Sequence, residues 1–170
     1  MSEQSDYTDL MEACASGTME DVKHALNQPS TDVNAVAGWN KSTALMIAAQ
    51  AGKEDVVQFL LNQVNIEYAQ TNSLKCNALM LAAEYGHKRI VEMLSKHDLQ
   101  MLKPQTLDEY NTQLIRGRTI YGQTALMLAI ENATNCDKSS WLGVIKYIII
   151  DLGIAECRWQ LEARNKFDKW

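Results

Sequence analysis

The chain has 170 residues, 46% of them hydrophobic and 22% charged, which is the composition of an ordered globular protein with length for one domain or a short repeat array. A net charge of -5 and a pI near 5.2 argue against a surface built for phosphate, which depends on clustered Lys and Arg, so nucleic acid is not an expected partner. Two prolines and eight glycines leave little room for long flexible linkers.

The polar start MSEQSDYTDL reads as neither a secretory leader nor a transit peptide. From Thr8 the chain writes TDLMEACASGTMEDVKHALNQ: a short helix, a glycine, a second helix. The phrase returns as TALMIAAQAGKEDVVQFLLNQ from Thr43, as NALMLAAEYGHKRIVEMLSK from Asn77, and as TALMLAIENA from Thr124. Aligned on their leucines, the copies start at Leu10, Leu45, Leu79 and Leu126, separated by 35, 34 and 47 residues. Two spacings are one period, and the third is a period plus an insertion.

Each unit is physically readable. Thr43, Asn77 and Thr124 stand where a side-chain oxygen caps the first free N–H groups of a helix. The leucine and a following small pair (Ala13 with Cys14, Ala48 with Ala49, Ala82 with Ala83) make one apolar face that lets neighbouring helices approach. Gly52 and Gly86 end the helix, as glycine does in the left-handed position. Val56, Val57, Leu60 and Leu61 then recur at helical spacing. Helices of two or three turns are marginal alone, so the units must stack. The most apolar run, Trp141–Gly153, contains Lys146 and falls short of the roughly 20 residues of a membrane helix, so no membrane partner is expected.

These units resemble ankyrin repeats in a T-A-L-M variant, whose pattern is D-x-x-G-x-T-P-L-H-x-A-A-x-x-G-H. DVNAVAGW, from Asp32 to Trp39, resembles the family's hairpin segment. The resemblance implies an all-α solenoid of helix-turn-helix pairs with β-hairpin fingers. Its repeats would span about 6–37, 38–71, 72–118 and 119–167, the last two carrying insertions, with a further repeat starting at 168–170. The family's proline is replaced by Asp9, Ala44, Ala78 and Ala125, and its histidine by Met11, Met46, Met80 and Met127, which can serve only as apolar filler. The insertions are expected as loops, one between the third outer helix and the next finger, one between the fourth pair's helices.

Chemistry is sparse. No G-x-S-x-G, P-loop, kinase glycine loop or H-E-x-x-H is present, and no Cys/His spacing suits zinc. No catalytic residue, metal or cofactor is expected. Cys14 reads as buried, Cys76 as lying near a hairpin tip and exposed, His24 and His97 as solvated, and His87 as the family's structural turn histidine. The four cysteines read as free thiols of a reducing, cytoplasmic setting. The triplets at Asn40 and Asn132 then read as chance rather than glycosylation sites.

The resemblance implies binding of a partner protein through a concave face lined by finger tips and first-helix ends. Carried over by position, that face is Trp39, Asn40, Gln50, Leu74, Glu84, Tyr85, Ile120 and Tyr121. Exposed aromatics at such positions are what interface hot spots are made of. Two rival readings stand beside this one: an N-terminal regulatory or targeting segment of a longer protein with its catalytic domain elsewhere, and a small enzyme using Cys76. The apolar fourth outer helix, with Ile145 and Ile148 to Ile150, implies a chain cut from a longer array and self-association at that end.

Overall fold

The computed structural model describes residues 8–102, 113–133 and 139–151. Helices α1 (Asp9–Ser16) and α2 (Met19–Leu26) form the first pair, and α3 (Ala44–Gln50) and α4 (Glu54–Leu61) the second. The third is α5 (Ala78–Glu84) and α6 (Lys88–Leu102), followed by a single turn, α7 (Gln113–Arg116). The fourth is α8 (Ala125–Ala133) and α9 (Ser139–Lys146), which runs into a π-helical turn, Tyr147–Asp151. Inner helices pack in the order α1, α3, α5, α8, and outer helices in the order α2, α4, α6, α9. The result is an all-α solenoid of helix pairs. Its fingers are tight turns, with an antiparallel bridge between Ala37 and Ser42.

The inner helices start where a cap permits. The side-chain oxygens of Thr8, Thr43, Asn77 and Thr124 accept from the N–H of Met11, Met46, Met80 and Met127 at 3.3, 3.3, 2.9 and 3.4 Å. Asn77 serves twice, because its Nδ2 donates to the Leu114 carbonyl at 2.9 Å and so docks α7 against α5. The four register leucines are buried, with the small pairs packed between them. Met11, Met46 and Met80 are buried as apolar filler, while Met127 is half-buried.

The units lock at their turns. Gly52 and Gly86 take φ of +75 and +78, a region costly for a residue with a Cβ. A Cβ on Gly52 would come within 2.6 Å of the His87 ring, and one on Gly86 within 3.1 Å of the Trp141 ring. Those rings cap the helix before them. His87 Nε2 lies 3.0 Å from the Gln50 carbonyl, and Trp141 Nε1 donates to the Glu84 carbonyl at 2.9 Å. A carbonyl only accepts, so His87 carries its hydrogen on Nε2. Lys53, at the matching register position, donates to the Gly17 carbonyl at 3.3 Å.

The third-unit insertion does not begin as a loop: α6 continues the helix to Leu102, with Ile90, Val91 and Leu94 buried and Ser95 Oγ donating to the Val91 carbonyl at 2.7 Å. Its α7 end is helical too, with Leu114 and Ile115 buried. Helical apolar spacing persists into the insertion, so the outer helix extends. The fourth-unit insertion, 132–140, has its two ends in helices α8 and α9, while its middle, 134–138, and the further repeat at 168–170 lie outside the described residues. The fourth outer helix exposes Leu142, and the π-helical turn after it exposes Ile149 and Ile150.

Replacing Leu79, sealed between α3 and α8, with alanine is expected to cost about 2–5 kcal/mol, as for other buried leucines. Urea unfolding monitored by helical circular dichroism checks it, and a loss under about 0.5 kcal/mol would contradict the register.

Candidate functional site

Three finger turns and three helix ends share one side of the array. In the second finger Asn72 does most of the holding. Its Oδ1 accepts from the N–H of Leu74 at 3.0 Å and of Cys76 at 2.9 Å, and its N–H donates to the Cys76 carbonyl at 3.0 Å. Thr119 does the same in the third finger, its Oγ1 accepting from Tyr121 and Gln123, both at 3.2 Å. The first finger has Gly38 there and no side chain. It closes instead by paired Ala37–Ser42 backbone bonds and by Ser42 Oγ donating to Asn40 Oδ1 at 3.0 Å.

The tips are stitched in one register. The Ser73 N–H donates to the Asn40 carbonyl at 2.8 Å, and the Ile120 N–H to the Leu74 carbonyl at 2.9 Å. Two rows therefore cross the fingers: Trp39, Ser73 and Ile120, then Asn40, Leu74 and Tyr121. Trp39 is 79% exposed, Tyr121 67% and Tyr85 46%, and Ile120 is also exposed. Asn40 and Leu74 are half-buried, and their carbonyls build the stitching.

The helix ends form a third row. Gln50, Glu84 and Glu131 each stand seven residues after their unit's cap, at the same position on α3, α5 and α8. Gln50 Nε2 donates to the Tyr85 hydroxyl at 2.9 Å, which fixes the ring across the unit boundary. Gln123 Nε2, in the third finger, donates to Glu131 Oε2 at 2.7 Å. Glu84 is half-buried, and burial first, then the Glu131 charge, push its carboxyl above the usual range. All eight residues selected from sequence thus lie among the fingers and helix ends. Asn72, Gln123 and Glu131 act there as well. Asn72 was open to detection, because it stands at the aspartate of the D-x-x-G pattern.

Residues 10–105 match the family model for ankyrin repeats, in three copies. The chain belongs to the ankyrin repeat family. A curated relative, an ankyrin repeat and KH domain-containing protein of Caenorhabditis briggsae, is 44% identical over 81 residues. That match covers 47% of this chain and 3% of the relative's length. Ankyrin repeats are generally protein-interaction modules and are typically non-catalytic.

The thiols of this ankyrin array are set against chemistry. Cys76 was expected to be exposed, and it is buried, 6% exposed, because the Asn72 bonds to its backbone turn the side chain inward. Burial first, and the Glu84 charge second, push its thiol up to about 11; burial alone pushes Cys14 to about 12. His97 is corrected too. It is half-buried, edge-on to Tyr68 with ring centroids 4.8 Å apart, and its Nδ1 is sealed from solvent. Beside it, burial first and then the Asp98 charge and hydrogen bond raise the Tyr68 phenol. Among the described residues, no His/Cys/Asp/Glu group could hold a metal, and no helix is long and apolar enough to cross a membrane.

Two measurements follow from these geometries. Lys75 sits at φ +58 at the finger position where Gly122 sits at +76. Its replacement by glycine removes left-handed strain of about 1–2 kcal/mol and adds about 0.5–1 kcal/mol of unfolded-state freedom. The urea midpoint is therefore expected to rise, for a net gain of about 0.5–1 kcal/mol. Second, raising a thiol from 9.0 to about 11 removes roughly 99% of its thiolate at pH 8. Cys76 in the folded chain should react with iodoacetamide roughly a hundredfold more slowly than in denaturant, read by peptide mass spectrometry. Equal rates would favour the enzyme reading.

Proposed function

We propose that this array, built of four units with the boundaries given above, binds a partner protein through its finger tips and inner-helix ends. The observation that carries the reading is the exposure of Trp39, Tyr85, Ile120 and Tyr121 on one stitched surface, in a fold whose inner-helix apolar residues are otherwise largely buried. Large, rigid aromatic surface costs little conformational entropy on binding and dominates interface energetics. The outer side is different in kind. There Lys88 pairs with Glu92 at 3.2 Å, and Arg89 with Glu92 at 3.4 Å and Glu54 at 3.9 Å. These are surface pairs of about 0–1 kcal/mol that describe a solvated face. Free Cys14 and Cys76 fit a reducing, cytoplasmic setting.

A second reading has its own support. The relative is a far longer protein of which the match spans 3%, so an array like this one can serve as the recognition segment of a larger chain. The two readings agree on the face and differ in what is attached to it. The length of the native transcript separates them.

The face is tested by affinity enrichment with three baits: the wild-type chain, Trp39→Ala/Tyr121→Ala, and Glu54→Ala/Arg89→Ala. A partner of the proposed face is expected to bind the wild type and the outer-helix variant alike. It should lose at least about tenfold on the aromatic variant, or about 1.4 kcal/mol, with the helical signal unchanged. Loss confined to the outer-helix variant would move the site to the other side.

A further inference from the structure

The fingers make a ladder that is closed at two places and open at a third. In the second finger the Asn72 N–H donates to the Cys76 carbonyl at 3.0 Å, and the Ser73 N–H to the Asn40 carbonyl of the finger before it at 2.8 Å. In the third the Thr119 N–H donates to the Gln123 carbonyl at 3.0 Å, and the Ile120 N–H to the Leu74 carbonyl at 2.9 Å. The matching donors of the first finger are the N–H groups of Gly38 and Trp39, and among the described residues neither has an acceptor. Gly38 is released because this turn closes one residue earlier, where Ala37 exchanges both of its bonds with Ser42 at 3.1 and 3.0 Å. Trp39 is released because it starts the row. The same finger exposes Val36 and Trp39. Lys41, in the same turn, is exposed and has no ion pair among the described residues, whereas Lys23 and Lys88 are paired with Glu20 and Glu92.

We propose that the partner segment recognised here is extended and acidic, and that it pairs with the open side of the first finger. One of its main-chain carbonyls accepts from the Trp39 N–H, an apolar side chain covers the Trp39 indole, and an Asp or Glu meets Lys41. The inference rests on the protein-binding reading above and adds the chemistry of the occupant. Continuity with the stitching argues it: the bond asked of the partner is the one that Ser73 and Ile120 already make, main-chain N–H to the carbonyl of the neighbour before them. An unpaired main-chain donor at the end of a ladder is a template for one more strand. In such additions the main-chain bonds give affinity and the side chains beside them give selection. Side chains of an extended segment alternate in direction, so an apolar and an acidic residue can serve Trp39 and Lys41 without competing for one side. Charge complementarity sets the sign, because the titratable side chain of the Gly38–Lys41 turn is an ammonium.

The test uses the full 170-residue chain and a displayed library of random peptides, enriched on the wild type. The enriched peptides are titrated against the wild type, Trp39→Ala, Trp39→Pro and Lys41→Gln. Alanine removes the indole and keeps the donor. Proline removes both, and it suits the second position of this turn, which the Lys41 N–H closes on the Gly38 carbonyl at 3.1 Å. The peptides are expected to share an Asp or Glu and to bind Trp39→Pro at least about threefold more weakly than Trp39→Ala. Exchanging the shared acid for its amide should weaken binding at least about threefold on the wild type and less than about twofold on Lys41→Gln, the mark of direct coupling. Amide hydrogen exchange on the wild type reads the pairing without any substitution: saturating peptide should slow the Trp39 amide at least about tenfold. An unprotected Trp39 amide, equal affinities for the alanine and proline variants, or peptides without a shared acid overturn the inference while leaving the face in place. A Trp39 amide already slow in the chain alone would show the donor taken by the chain or by a second copy of it, and overturns the inference too. Failure to enrich any peptide does the same, since the face has its own test in the three baits above. Peptides that bind Trp39→Ala/Tyr121→Ala as tightly as the wild type overturn the face itself.

Discussion

A helix of two turns ends in carbonyls that it cannot satisfy, and in this protein the next unit supplies the donor. The Gln50 carbonyl takes its hydrogen from His87, and the Glu84 carbonyl from Trp141. Both rings reach across a boundary over a turn glycine whose missing Cβ leaves the space. Neither the second nor the third unit completes its own inner helix. Stacking is therefore demanded by hydrogen bonding as well as by apolar burial, and it fixes the relative rotation of neighbours more tightly than leucines packing on alanines would. The geometry of the proposed face follows from that rotation, because Gln50, Glu84 and Tyr85 stand at the junctions.

The fingers repeat the logic with backbone atoms. One N–H per tip donates to the carbonyl one position further along the previous tip, so the rows of side chains stay in register. Asn72 and Thr119 shape their turns from within, whereas Gly38 offers nothing and the first finger relies on backbone pairing. Trp39 stands on that least supported finger, at the edge where the stitching starts.

What the sequence revealed was what local rules decide. A cap three residues before the N–H it accepts, a leucine two after the cap and a glycine seven after the leucine are all properties of single helices, and each appears in the structure. The finger and helix-end positions became visible only through the family pattern. Tertiary packing decided the rest. Cys76 looked exposed because it lies next to a hairpin tip, but Asn72 turns it inward. His97 looked solvated because it stands near the end of an outer helix; α6 runs on past it to Leu102, and its ring packs against Tyr68 of the loop between α4 and α5. The Gln50–Tyr85 bond spans 35 residues, and the Glu84–Glu131 opposition spans 47. Neither is a property of any one helix, so no reading of a single unit could show it.

The junction donors are unequal in stiffness. His87 and Trp141 are planar rings wedged over glycine, and Lys53 is an ammonium on a four-carbon stem at 3.3 Å. Loaded from its two ends, an array of this kind carries force through its junctions in series, and the softest gives first. Here that is the junction between the first and second units. The first helix pair would then act as a mechanical fuse, peeling away under tension. All the residues of the proposed face, from Trp39 to Glu131, lie on the far side of that break and would stay in register.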